Sequence, residues 1–128
     1  MTTPLALIFY ENLLIGNQLI NRLRDLGYRA KPVRDLTKLP QLAAEEKPLV
    51  VVTELAGLAD RVCAAVRAVR AQAATPHVPV LAIQSPTKKR ADKKVAEAAR
   101  AAGVTLVASK SAYLAQLPQL LEQVLELH

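Results

Sequence analysis

Apolar residues follow two rhythms along this chain: short continuous runs rich in Val, Ile and Leu, and longer stretches where they recur every three or four positions. The first rhythm marks strands buried on both faces, and the second marks amphipathic helices. Leu5 to Tyr10 is a run of the first kind, and Leu13, Leu14, Ile15, Leu19, Ile20, Leu23 and Leu26 follow at helical spacing up to Gly27. A glycine there adopts the left-handed conformation that closes a helix, and Tyr28 is expected to fold back on the last turn. A short second strand spans Arg29 to Val33.

Asp35 is placed to cap a second helix running to Glu46. Pro48 then introduces Leu49-Val-Val-Val52, the most β-branched run of the chain and so its central strand. A third helix covers Leu58 to Ala73, with Leu58, Val62, Val66 and Val69 on one face and Arg61, Arg67 and Arg70 directed elsewhere. After His77-Val-Pro79, Val80 to Ile83 predicts a fourth strand and Ser85-Pro-Thr87 a capped turn. Residues 88–102 form a fourth helix closed by Gly103, and Val104 to Ala108 the fifth strand.

Leu114, Leu117, Leu120, Leu121, Val124 and Leu125 define a last helix. Its ordered part is expected to start near Pro118, because proline suits a first helical position. A start at Ala112 would instead put Pro118 near the second turn, with a kink. Five strands alternating with five helices through short loops make βαβ units, which give a parallel sheet, right-handed crossovers and helices on both faces.

The 128 residues, 52% of them hydrophobic, suffice for one domain, 1–128, with a layered core that needs neither disulfides nor a structural metal. Cys63 is the only cysteine, which excludes an intrachain disulfide and suits a reducing, cytoplasmic compartment. The start Met1-Thr-Thr-Pro-Leu5 has no basic segment before its apolar run, which breaks at Glu11 and Asn12, so no secretory leader is expected. No run approaches membrane-spanning length.

In open α/β sheets, ligands gather where the strands end, because the loops there converge on one crevice. Here none of the five strands ends in an aspartate. The loop Glu11-Asn-Leu-Leu-Ile-Gly16 lacks a glycine-rich phosphate cradle, which argues against a nucleotide or flavin cofactor. His77 and His128 do not combine with Cys63 into any metal or nucleophile-base spacing, so neither a metal nor a cofactor is expected. Cys63, beside the apolar stripe of the third helix, reads as a small packed thiol.

On these elements the chain resembles a response-regulator receiver domain over essentially its whole length. The resemblance implies a (βα)5 doubly wound three-layer sandwich, CheY- or flavodoxin-like, with a five-stranded parallel sheet of order 2-1-3-4-5. Receivers place two acidic residues after the first strand to hold Mg²⁺. The matching positions in Leu7-Ile-Phe-Tyr-Glu-Asn12 are Phe9 and Tyr10, with Glu11 alone surviving. The phospho-accepting aspartate matches Thr53 of Pro48-Leu-Val-Val-Val-Thr-Glu54, with Glu54 one step later; a one-residue slip would turn Glu54 to the other face unless the backbone bulges. The hydroxyl ending the fourth strand matches Gln84, with Ser85 nearby. The lysine of the fifth strand is kept as Lys110, and the aromatic switch residue matches Val107.

The resemblance therefore implies a degenerate pseudo-receiver: Thr53 cannot form an acyl phosphate, and Phe9 and Tyr10 are expected to fill the vacated crevice with apolar bulk. Lys110 is open to two readings, a permanent ion pair with Glu11 or Glu54 or a solvated side chain. The chain's +6 net charge is concentrated in the fourth helix, where Lys88, Lys89, Arg90, Lys93, Lys94 and Arg100 face only Asp92 and Glu97. In receivers the fourth helix, fifth strand and fifth helix form the partner and dimer face, so this patch and Val107 point to an acidic signalling partner or a second copy. Such a module is not an enzyme. One alternative is an atypical, phosphorylatable regulator that uses Glu11 or Glu54. The other is a basic nucleic-acid-binding accessory protein, against which stands the absence of aromatic residues among the basic ones.

Overall fold

The β-branched runs become strands covered by helices on both sides, as their lack of polar alternation requires. The computed structural model describes residues 4–10, 13–55, 59–72, 78–84, 89–109 and 113–126. Their order is β1 (Leu5–Phe9), α1 (Leu13–Asp25), β2 (Arg29–Pro32), a 3-10 turn (Leu36–Lys38), α2 (Leu39–Glu46), β3 (Val50–Leu55) and α3 (Ala59–Ala71). Then come β4 (Val80–Gln84), α4 (Lys89–Ala102), β5 (Leu106–Ser109) and α5 (Tyr113–Glu126). All pairings are parallel, in the order β2-β1-β3-β4-β5, so β3 is central as its Val-rich sequence predicts.

The pleat divides the core in two. Leu7, Phe9, Val51, Leu55 and Ala82 pack with Leu39, Val62, Val66 and Ala99 under α2, α3 and α4. Ala6, Ile8, Val50, Val52, Leu81 and Ile83 pack with Leu19, Leu23, Leu117, Leu121 and Val124 under α1 and α5. At the edge, β2 carries Pro32, which has no N–H to offer, and Lys31, which reaches Glu46 of α2 at 2.7 Å.

Helix ends follow the expected chemistry. Gly27 (φ 91°) closes α1, with the Tyr28 amide donating to Leu23 O at 2.9 Å and the Gly27 amide to Arg24 O at 3.0 Å. Gly103 (φ 114°) closes α4 in the same way, through Val104 to Ala99 O and Gly103 to Arg100 O, each 3.0 Å. Asp35 caps the 3-10 turn that leads into α2, its carboxylate accepting from the Thr37 amide.

Four expectations need correction. The last helix starts at Tyr113 and carries Pro118 inside it. The proline forfeits a bond to the Leu114 carbonyl, costing about 3 kcal/mol, but a later start would release Leu117, which is fully buried before it. Burying Leu117 contributes about 1.5–3 kcal/mol, which offsets most or all of the defect. The fifth strand starts at Leu106, not Val104, because the Val104 amide is committed to closing α4. Leu13 and Leu14, counted in the apolar stripe of α1, are 70% and 68% exposed, one turn ahead of the residues that reach the core.

Arg70 is the fourth. Instead of facing away, its guanidinium turns inward at the amino ends of β4 and β5. It donates to Gly103 O through Nε at 3.0 Å and Nη2 at 2.8 Å, and to the Val78 carbonyl through Nη1. Nη2 also reaches Thr105 Oγ1 at 3.2 Å, which in turn accepts from the Val80 amide at 3.1 Å.

Candidate functional site

At the carboxyl end of the sheet, Phe9 of β1 pairs in register with Thr53 of β3, and Thr53 with Ala82 of β4. Thr53 shares parity with Val51 and Leu55, so it faces α2, α3 and α4, as Phe9 does. Phe9 is 6% exposed and Thr53 is fully buried; the Thr53 hydroxyl has no hydrogen-bond partner among the described residues. Pairing continues without a bulge through Glu54 with Ile83 and Leu55 with Gln84, so Glu54, 2% exposed, projects to the opposite face among the α1 and α5 residues.

Tyr10 also belongs to that second face, where it packs against the α1 and α5 core. Its ring lies directly on Gly16 of α1, where an added Cβ would collide with the ring carbons. Glycine here is a matter of close approach. A tyrosine followed six residues later by a glycine on the facing helix turn was the only sequence signal for this packing.

The other site residues of the sequence reading are distributed unevenly. Gln84, half-buried, ends β4 opposite Ser109, and Val107, also half-buried, sits beside Ala82. Lys93 and Lys94 are exposed on α4, to whose first turn Lys89 and Arg90 belong. Glu11, Ser85, Lys88 and Lys110 lie outside the described residues. Cys63 is buried against α3's neighbours, and burial pushes its thiol up from the ordinary range.

No family model and no curated protein matches the sequence. Solved structures do match. CheY4 of Vibrio cholerae, a chemotaxis protein, superposes with a TM-score of 0.80 at 21% identity, covering 96% of this chain and 99% of that one. The receiver domain of the sensor histidine kinase PA1611 of Pseudomonas aeruginosa, which has magnesium coordinated in its active-site cleft, gives 0.79 at 20%, covering 98% and 99%. A response regulator of Thermotoga maritima gives 0.79 at 15%, again over 98% and 99%.

The fold is that of a receiver domain. At these identities the likeness is one of fold, and the chemistry has to be read from the side chains. A receiver's cation needs hard oxygen ligands, chiefly carboxylates, at the ends of β1 and β3. Among the described residues those ends present Phe9, Tyr10 and Thr53, with Glu54 directed to the α1 side, a donor set that does not fit Mg²⁺. No three His, Cys, Asp or Glu side chains converge among the described residues.

A second concavity, of about 430 Å³, opens beside this crevice between the 3-10 turn and α3. Its floor is Phe9, Leu36 and Ala65; Arg34 and Arg61 stand at its rim. Sequence reasoning passed over it. The signal available was Arg61, Ala64, Ala65 and Ala68, four positions on one helical face, three of them too small to fill the space they line.

Proposed function

We propose that this protein is a non-phosphorylatable receiver-like signalling module, acting by protein-protein contact in a two-component or gene-regulation pathway in the cytoplasm. It is a binding module and not an enzyme, and it uses neither metal nor cofactor. The observation that carries this reading is the burial of Phe9 beside Thr53 where a receiver exposes carboxylates. Phosphoryl transfer there depends on charge neutralisation in an acidic pocket, and an aromatic ring beside a buried hydroxyl provides none.

The partner contact runs through α4, β5 and α5, with Lys93 and Lys94 exposed to steer an acidic protein and Lys88, Lys89 and Arg90 adding to the same charge. A second copy of the chain meeting the same face is the homodimeric form of that contact. No helix among the described residues is long and apolar enough to cross a membrane.

One observation favours a second reading, in which the module still accepts phosphate: Glu54 puts a buried carboxylate near the end of the central strand. Incubation with Mg²⁺ and acetyl phosphate, or with beryllofluoride, separates the two. Intact mass and the amide shifts of Thr53 and Glu54 should stay unchanged. A stoichiometric, acid-labile phosphate that disappears in Glu54→Gln would overturn the proposal.

A further inference from the structure

The concavity between the 3-10 turn and α3 has the parts of a ligand site. Its volume of about 430 Å³ falls in the range of small-molecule pockets, roughly 300–1,000 Å³. Phe9, Leu36 and Ala65 at its base are buried, while Ala64 and Ala68 leave the α3 wall without bulk. The concavity persists at the surface because Ala64 and Ala68, exposed on α3, and the buried Ala65 between them are too small to fill it.

The opposite wall is set in place before any ligand arrives. The Asp35 carboxylate accepts from the Thr37 hydroxyl at 2.6 Å and from its amide at 3.0 Å, and these two bonds hold its pKa below the usual carboxylate value. Pro40 stiffens the start of α2 on the same wall. The lining carries two guanidinium groups, Arg34 and Arg61, against the one carboxylate of Asp35. Neither arginine has a hydrogen bond or ion pair with another described residue. The walls thus combine an apolar base with a surplus positive charge at the mouth.

We infer that this pocket binds a small organic monoanion with a flat apolar body, its ring against Phe9 and Ala65 and its acid group between Arg34 and Arg61. Arginine suits this role because its planar fork meets carboxylate or sulfonate oxygens in pairs. Of the residues lining the pocket, Phe9 alone belongs to the strand ends, so ligand binding there is independent of phosphoryl chemistry.

The test uses anilinonaphthalenesulfonate as the anionic probe and phenylnaphthylamine, which lacks the sulfonate, as its neutral counterpart. Fluorescence titration of the full chain should give saturable one-to-one binding of the anion, about tenfold or more tighter than the neutral dye, as one effective charge contact implies. Arg34→Gln and Arg61→Gln should each weaken it about tenfold, and Ala68→Phe should abolish it; all three positions are exposed, so far-UV circular dichroism should be unchanged. Amide shifts should move at Phe9, Thr37 and Ala65. No saturable binding, binding indifferent to these variants, or shifts confined to the exposed Leu13 and Leu14 would each overturn the inference.

Discussion

Phe9 and Thr53 stand side by side across the β1–β3 ladder on the same side of the sheet, both buried, and the Thr53 hydroxyl has no partner among the described residues. Leaving such a group unsatisfied costs about 1–3 kcal/mol, whereas an apolar group of the same shape costs nothing comparable. Thr53→Val should therefore stabilise the protein by about 1 kcal/mol. That corresponds to a rise of about 4 °C in Tm for a domain of this size, and a higher urea midpoint at unchanged slope checks it.

Thr53→Asp tests the same relationship from the other side. A carboxylate placed in this buried position, beside Phe9 and without a cation, should cost at least about 3 kcal/mol. Acetyl phosphate with Mg²⁺ should add no mass to the folded fraction. A stable variant that acquires phosphate would show that the crevice opens.

At Gly16, alanine improves helix propensity by about 1 kcal/mol. The Tyr10 ring, whose Cγ is among the atoms met, cannot withdraw by rotating its far end alone. Overpacking of this kind costs about 1–3 kcal/mol, so Gly16→Ala should be net destabilising. In the Tyr10→Ala background the same change should become stabilising, and denaturation of the four proteins of that cycle reads the difference.

Arg70→Lys should destabilise by about 2 kcal/mol. An ammonium cannot reproduce the paired donation to Gly103 O together with the bonds to Val78 O and Thr105 Oγ1. Hydrogen exchange should quicken at Thr105 and Val80 before it does in β1 or β3.

The cap at Asp35 gives the acid limb of stability a defined sign. Its carboxyl is held below the ordinary value of 3.8, first by the Thr37 hydroxyl and then by the Thr37 amide. Its contribution is complete above that ordinary value and is lost as pH falls through the lowered one. Asp35→Asn caps without titrating. The variant's stability, measured by urea unfolding from pH 6 to pH 2, should fall less steeply than that of the parent.

The strand and helix layout was legible because β-branched runs and helical spacing both point one way, and the central position of Val50–Val52 follows from their composition alone. What escaped was set by geometry between distant segments. Arg70 looks like any surface arginine until the turn at Gly103 offers it a carbonyl. Pro118 signals a helix start locally, yet the core's hold on Leu117 decides otherwise. At the strand ends the residues Thr53 and Glu54 could be named, but their assignment to opposite faces rests on an unbroken ladder that only the register of β3 with β4 reveals. The pocket of Arg34 and Arg61 joins residues from β1, the 3-10 turn, α2 and α3, which no single helical or strand rhythm connects.

Pro32 and Lys31 at the outer margin of β2 have a consequence for how copies of this molecule meet. A strand margin that cannot donate at one position and carries a charge at the next is a poor template for a neighbouring chain to zip onto. That flank is guarded against fibrillar stacking, which leaves association to other faces, where charge and shape can choose the companion.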